Sequence, residues 1–401
     1  MRNWLVLTAT VWLAACVNVV PQSSPSVRPA PSQPATQVPA TGATSAALAG
    51  LQRGPDIAGL GFSGSDASGA LASFRESCPK LLGRTDQSGL TRREDWRPAC
   101  QAAAGWPLGD ARRFFTTYFE PVRIGDGAAF ATGYFEPEIR GSRFRAPGYD
   151  VPVYKLPPEL QRAWPDDMPE SERTGRPPLG RYDASGKFVP FYERAEIVDG
   201  ALANRGLEIA WAADPVEFFF LQIQGSGLLR LPDGSQMRIG YAGQNGREYV
   251  GIGGVMRERG LLGEGPGKYS GSMQGIMQYI RENPEAGREL MNLNKSWIFF
   301  RELDTDGPLG ALEVPVRGQS SVAVDPKFVP LGAPVFLDLD RNEADGLWVA
   351  QDTGGAIKGA NRFDTFWGNG EEARRIAGGM SGRGQAIVLL PRGTTARLQG
   401  Q

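Results

Sequence analysis

The chain of 401 residues contains no histidine. A Ser-His-Asp or Cys-His nucleophile needs a base that is neutral near pH 7, so both constellations are excluded. Catalytic zinc sites draw on two or three imidazoles, which removes HExxH-type chemistry as well. A lysine-activated serine would need an S-x-x-K near an S-D-N or K-T-G, and no such set occurs. Excess charge of either sign is also missing: 43 basic residues face 44 acidic ones, which argues against a nucleic-acid partner held through charge. No internal repeat and no apolar run long enough to span a bilayer is present. Carboxylates are left as the acid-base candidates, with no metal and no cofactor implied.

What the chain has in quantity is 53 glycines and 31 prolines, the composition of a turn-rich, largely β body. It opens MRNWLVLTATVWLAAC, in which Arg2 supplies a positive start and Trp4 to Ala15 an apolar stretch of about a dozen residues. Leu13-Ala14-Ala15-Cys16 looks like a bacterial lipobox, with Cys16 as the lipidated residue; an ordinary secretory signal with a chance cysteine is the alternative. From Pro21 to Ala47 proline, serine, threonine and alanine dominate, so this segment cannot bury a core and reads as a tether. Lipid, tether and body together place the protein at the periplasmic face of a membrane, and Val17 suits outer-membrane sorting. Cys78 and Cys100 are expected to form a disulfide in that oxidising compartment, two buried free thiols being the alternative.

Asp66 to about Leu82 reads as a helix, and Trp106 to Phe119 as a second. GLGFSG (59–64) matches G-x-G-x-x-G but has no strand before it and is rejected as a dinucleotide site. From Ala129 the pattern turns to short strands, AFATGYFEPEIRGSR and VPVYKLP, followed by a polar excursion from Pro157 to Lys187 that reads as a surface loop. EFFFLQIQGSGLLRLPDGSQMRIGYAG reads as strand, turn, strand, with Pro232-Asp233-Gly234 as the hairpin. Helices are expected near Val250–Arg259 and Met273–Glu282. SWIFFREL, SVAVD, PVFLDL, LWVAQDT and QAIVLLP then suit a small closed barrel. DLDRNEADG (338–346) lacks the glycine and closing glutamate of a calcium loop and reads as a hairpin turn.

Six blocks in order, GYFEPEIRGS (133–142), QIQGSG (222–227), YAGQNGREY (241–249), SVAVDP (321–326), DTGGAIKG (352–359) and FDTFWG (363–368), resemble the membrane-bound lytic murein transglycosylase A (MltA) family. The resemblance implies a mainly β fold: a double-psi β-barrel with a second β-domain inserted into it and a groove between the two. The implied division is a signal peptide over 1–15, anchor and tether over 16–47, barrel over 48–138 and 296–395, and insert over 139–295. The C-terminal module would be the family's 3D domain, its three aspartates being Asp325, Asp352 and Asp364.

The implied activity is non-hydrolytic cleavage of the β-1,4 bond between N-acetylmuramic acid and N-acetylglucosamine in peptidoglycan, giving 1,6-anhydro ends. Because the sugar's own C6 hydroxyl is the nucleophile, one carboxyl can act as acid and then as base. Asp364 is the expected acid, its pKa raised by an apolar collar of Phe363, Phe366 and Trp367. Asp352 would support it. Asp325, before Pro326, is as much a turn or barrel-corner cap as a direct participant. Tyr134, Gln224, Ser226 and Tyr241, with Thr353, Gly354 and Lys358 of the glycine-rich loop, are candidate sugar-binding groups, each equally open to a structural reading. Gly355 and Gly359 would let that loop approach the glycan, or simply make tight turns. Partners would be glycan strands and the membrane through Cys16, with no nucleic acid; membership of a cell-wall synthesis or division complex stays open. Two other readings compete: an endoglucanase V-like hydrolase on the same barrel, and a non-catalytic peptidoglycan-binding lipoprotein.

Overall fold

Residues 43–400 are described by a computed structural model. Cys16, the lipobox and all but the end of the tether lie outside them. Six strands close on themselves: β1 (Ala128–Glu136), β2 (Ser321–Ala323), β3 (Pro334–Leu339), β4 (Gly346–Asp352), β5 (Arg362–Asn369) and β6 (Ser381–Pro391). Around the ring the order is β6-β3-β4-β2-β5-β1, and β1 returns to β6. The β2–β4 and β5–β1 pairs are parallel and the others antiparallel. This is the expected barrel. The long β6 uses its first half to close the ring on β1 and its second half to carry an outer strand, Phe119–Ile124. Inside, Val335, Leu337, Val349, Phe363, Val388 and Leu390 are fully buried.

Helix α1 (Gly64–Leu81) packs on this core through Leu71 and Phe74, and starts at a capping box in which Ser63 and Asp66 satisfy each other's backbone N–H groups. Cys78 on α1 is bonded to Cys100 on α2 (Arg93–Ala103). The second expected helix is shorter than its pattern: a 3₁₀ turn, Leu108–Asp110, precedes α3 (Ala111–Tyr118), and Phe119 already opens a strand. Helix α2 itself escaped the sequence reading.

Between β1 and β2 the chain builds a six-stranded sheet in the order Ile298–Glu302, Gln236–Gln244, Ser226–Arg230, Glu138–Ser142, Glu208–Ala212, Val151–Tyr154. Two corrections follow. SWIFFREL, expected among the barrel strands, supplies Ile298–Glu302, which pairs with Gln236–Gln244 in this second sheet. EFFFLQIQ, expected as a strand, is helix α4 (Pro215–Gln224). Its caps decide the matter: Asp214 accepts the Val216 and Glu217 amides, Pro215 fills the first turn, and Gly225 at φ 80° ends the helix. Phe218 and Leu221 of α4 are buried with Phe191, Trp297, Phe299 and Phe300 in a core separate from that of the barrel. The Pro157–Lys187 excursion is mostly irregular but holds two strands, Gln161–Arg162 and Leu179–Tyr182, of a small sheet completed by Phe188–Pro190. Among the described residues no helix is long and apolar enough to cross a membrane.

Candidate active site

Register places four residues in one row across adjacent barrel strands. Asp352 on β4 is opposite Ala323 on β2, Ala323 is opposite Asp364 on β5, and Asp364 is opposite Thr132 on β1. The backbones of the two acids are therefore two strand spacings apart across the sheet, about 9.5 Å. The small, buried side chain of Ala323 lies between them.

Asp364 is only partly exposed. Its Oδ1 accepts the Thr132 hydroxyl at 2.6 Å, and Thr132 Oγ1 in turn accepts Arg362 Nη2 at 2.9 Å. Because the Thr132 hydroxyl donates to Oδ1, a proton carried by Asp364 is accommodated on Oδ2. Burial pushes the Asp364 carboxyl up to about 6, the Arg362 charge and the Thr132 hydrogen bond pull it back, and the Asp352 charge adds to the rise. Arg362 is lowered by burial and raised by Asp364.

Asp352 is held differently. Its Oδ1 accepts the Thr353 and Ala311 amides at 2.8 and 2.9 Å, and its Oδ2 accepts the Tyr134 hydroxyl at 2.9 Å. Burial raises its pKa against those three donors. Burial and the Asp352 charge also push the Tyr134 phenol well above its ordinary value, which keeps it a donor.

The expected apolar collar needs correction. Side chains alternate along β5, so Phe363 and Trp367 turn into the barrel core, where Trp367 Nε1 donates to Thr365. The apolar surround of the acids is instead Tyr134, Val316, Ala323, Ile357 and Phe366, with the Tyr134 and Phe366 rings 4.9 Å apart.

Asp325 is 6 % exposed and gives both carboxylate oxygens to backbone, Oδ1 to Lys327 N–H and Oδ2 to Gly359 N–H. It ties down the 352–361 loop, where Gly359 sits at φ +93° and a Cβ on Gly354 would approach Ile357 to 2.6 Å. Thr353 lies beside Asp352, and Lys358 and Gly355 are exposed on the loop. Gln224 ends α4 and accepts the Phe135 amide next to Tyr134, with the buried Ser226 just beyond. Tyr241, 48 % exposed, is not brought to the acids: the charges near its phenol are Arg162 and Arg176.

Three residues escaped the sequence reading. Thr132 and Arg362 hold Asp364. Tyr249, raised by burial and then by the Asp364 charge, brings the inserted sheet's side of the chain to the acid. Its other charged neighbour is Arg194, which is buried, bonded to the Asn294 and Ser296 carbonyls and to Gln222, and lowered by burial to about 9. Thr132 has a signal only through register, since parallel pairing with β5 cannot be read along one strand. Tyr249 closes a quoted block and could have been singled out.

Known proteins bear on the same residues. Residues 130–301 match the MltA specific insert domain and residues 320–390 the 3D domain, which takes in all three aspartates. Membrane-bound lytic murein transglycosylase A of Escherichia coli K12 is 30% identical over 357 residues, 84% of each chain. The protein of the same name from Vibrio cholerae is 35% identical over 196 residues, 46% of this chain and 52% of that one. The crystal structure of a membrane-bound lytic murein transglycosylase from Agrobacterium tumefaciens superposes with a TM-score of 0.74 at 30% identity, covering 86% of this chain and 99% of that one. The chain belongs to the membrane-bound lytic murein transglycosylase A family.

Proposed function

We propose that this protein is a lytic transglycosylase that cuts the β-1,4 bond between N-acetylmuramic acid and N-acetylglucosamine in peptidoglycan. The observation that carries the reading is the asymmetry of the two acids. Asp364 is raised to about 6 with Oδ2 free to hold a proton, while both oxygens of Asp352 are occupied by donors. The Asp364 proton passes to the glycosidic oxygen as the C1–O bond breaks, and the fixed carboxylate of Asp352 and the sugar's N-acetyl group support the cation at C1. The Asp364 carboxylate then takes the proton of the C6 hydroxyl as its oxygen bonds to C1. Acid and base are the same residue, and no water is consumed. A nucleophile already tethered to the electrophile has little translational entropy left to lose.

A second reading is an inverting hydrolase, in which one carboxyl is the acid and the other activates a water. That mechanism needs a carboxylate free to deprotonate water, and Asp352 has no uncommitted oxygen. Mass spectrometry of digested sacculi separates the readings. The expected products end in 1,6-anhydro-N-acetylmuramic acid, one water lighter than hydrolytic fragments. Reducing-end muramic acid would assign a hydrolase, and no soluble fragments a binding module.

The same reading gives Tyr134, Gln224, Ser226, Thr353, Gly354 and Lys358 as glycan contacts and Asp325 as the residue that positions the loop carrying the last three. It makes 48–138 and the chain from about 303 to 395 the barrel domain, with the insert running past its expected end at 295 to take in Ile298–Glu302. It also takes Cys16 as the lipid anchor at the periplasmic face of the outer membrane, with the tether giving reach. The lipobox residues and the relatives' description as membrane-bound support that placement.

A further inference from the structure

The small sheet built from the Pro157–Lys187 excursion walls a cavity of about 340 Å³ whose lining includes Pro158, Glu159, Arg181, Tyr192, Arg205 and Leu207. Its charges are unequally matched. Arg205 pairs with Glu159. The Arg181 guanidinium lies over the Tyr192 ring at 4.1 Å, and its Nε is buried without a hydrogen-bond partner. Asp183, just past the end of the strand that carries Arg181, feels the Arg181 charge but spends Oδ1 on the Ser185 and Lys187 amides and the Ser185 hydroxyl. Arg162 is opposite Leu179 in the register, so it shares a face with Arg181, and burial followed by the neighbouring Arg176 charge lowers its pKa. Arg181 is thus left with an unmet N–H beside the Tyr192 ring, an arrangement that costs free energy until an acceptor enters. The planar edge of Arg181 matches a carboxylate in two-pronged fashion, and Tyr192, Leu207 and Pro158 offer apolar surface beside it.

We propose that this cavity is a carboxylate-binding subsite for the peptide stem of the glycan, a proposal that rests on the lytic transglycosylase reading. The stem branches from muramic acid, the sugar whose C1 is cut, and combines free carboxylates with alanine methyls, which is the chemistry the cavity displays. Position agrees. Leu179 packs against Gly246 so closely that a Cβ there would come within 2.6 Å of it. Tyr249, whose phenol feels the Asp364 charge, is three residues further, a span of at most about 10 Å.

Equilibrium dialysis of the full chain against the free stem tetrapeptide, L-Ala-γ-D-Glu-diaminopimelate-D-Ala, tests this without turnover. The wild type is expected to bind it, and Arg181→Gln to weaken binding by about tenfold or more. Amidating the peptide's carboxylates should do the same to the wild type, and Arg181→Lys should fall between. On stem-bearing strands Arg181→Gln should raise KM with kcat unchanged, and on stem-stripped glycan neither constant should move, which also reports that the variant is folded. No binding by the wild type, equal binding by Arg181→Gln, or an equal loss on stripped glycan would overturn the subsite. Peptide binding without anhydro products would sink the catalytic reading and leave the subsite standing.

Discussion

Asp364 is costly to the fold because its carboxyl is buried. In the unfolded chain its carboxyl titrates near 3.8, and in the folded protein near 6, so between those values the native state holds the extra proton. Stability is therefore greatest below the lower value and is lost as pH rises through the upper one, by at most about 3 kcal/mol and less because the group is partly exposed. Asp364→Asn removes that penalty. The variant should melt higher than wild type at pH 7, with the gap closing below pH 4, while turnover falls by roughly 10²–10⁴ or more because the proton is handled twice. Wild-type kcat/KM should decline as pH rises above about 6, where the acid form disappears, and calorimetry beside a pH-rate profile checks both. The raised carboxyl was legible from its chemical setting, and so were the parts played by Phe366 and Asp352, but the groups that hold it were not. Phe363 and Trp367 flank Asp364 in sequence yet face away from it, and the groups that hold it, Thr132 and Arg362, needed the β1–β5 register to be seen.

Elements followed the sequence where local signals were strong. The Pro232-Asp233-Gly234 hairpin, the Met273–Glu282 helix and most barrel strands form where turn residues and periodicity place them. EFFFLQIQ failed because an unbroken apolar run has no period, and Asp214, Pro215 and Gly225 were better guides than its composition. SWIFFREL failed for another reason: a strand's sequence does not say which sheet it joins. The disulfide gives an element-level prediction. It closes a separation of 22 residues between α1 and α2, worth on the order of 3 kcal/mol in the chain-entropy model. Reduction should lower the melting temperature and leave kcat unchanged, because both cysteines pack in the helical layer away from the row of acids. A parallel loss of activity in the reduced protein, still folded by circular dichroism, would contradict that separation.

At the scale of the molecule, the proposed division assigns turnover to residues 43–400 and delivery to the segment before them. Removal of everything before about Ser45 should leave activity on soluble glycan intact, since a Pro/Ser/Ala-rich tether contributes reach alone. Cys16→Ala should move the protein out of the membrane fraction, and unchanged fractionation would contradict lipidation. One feature of the barrel bears on timing. The Thr132–Asp364 hydrogen bond spans 232 positions, and β1 pairs with β6 and β5 only after the entire inserted sheet has been laid down between them. Contacts this distant in sequence form late. A nascent chain stalled before β6 carries the acids but has no closed ring to hold them in one row, so an enzyme that erodes the wall is expected to stay inert until its synthesis is almost complete.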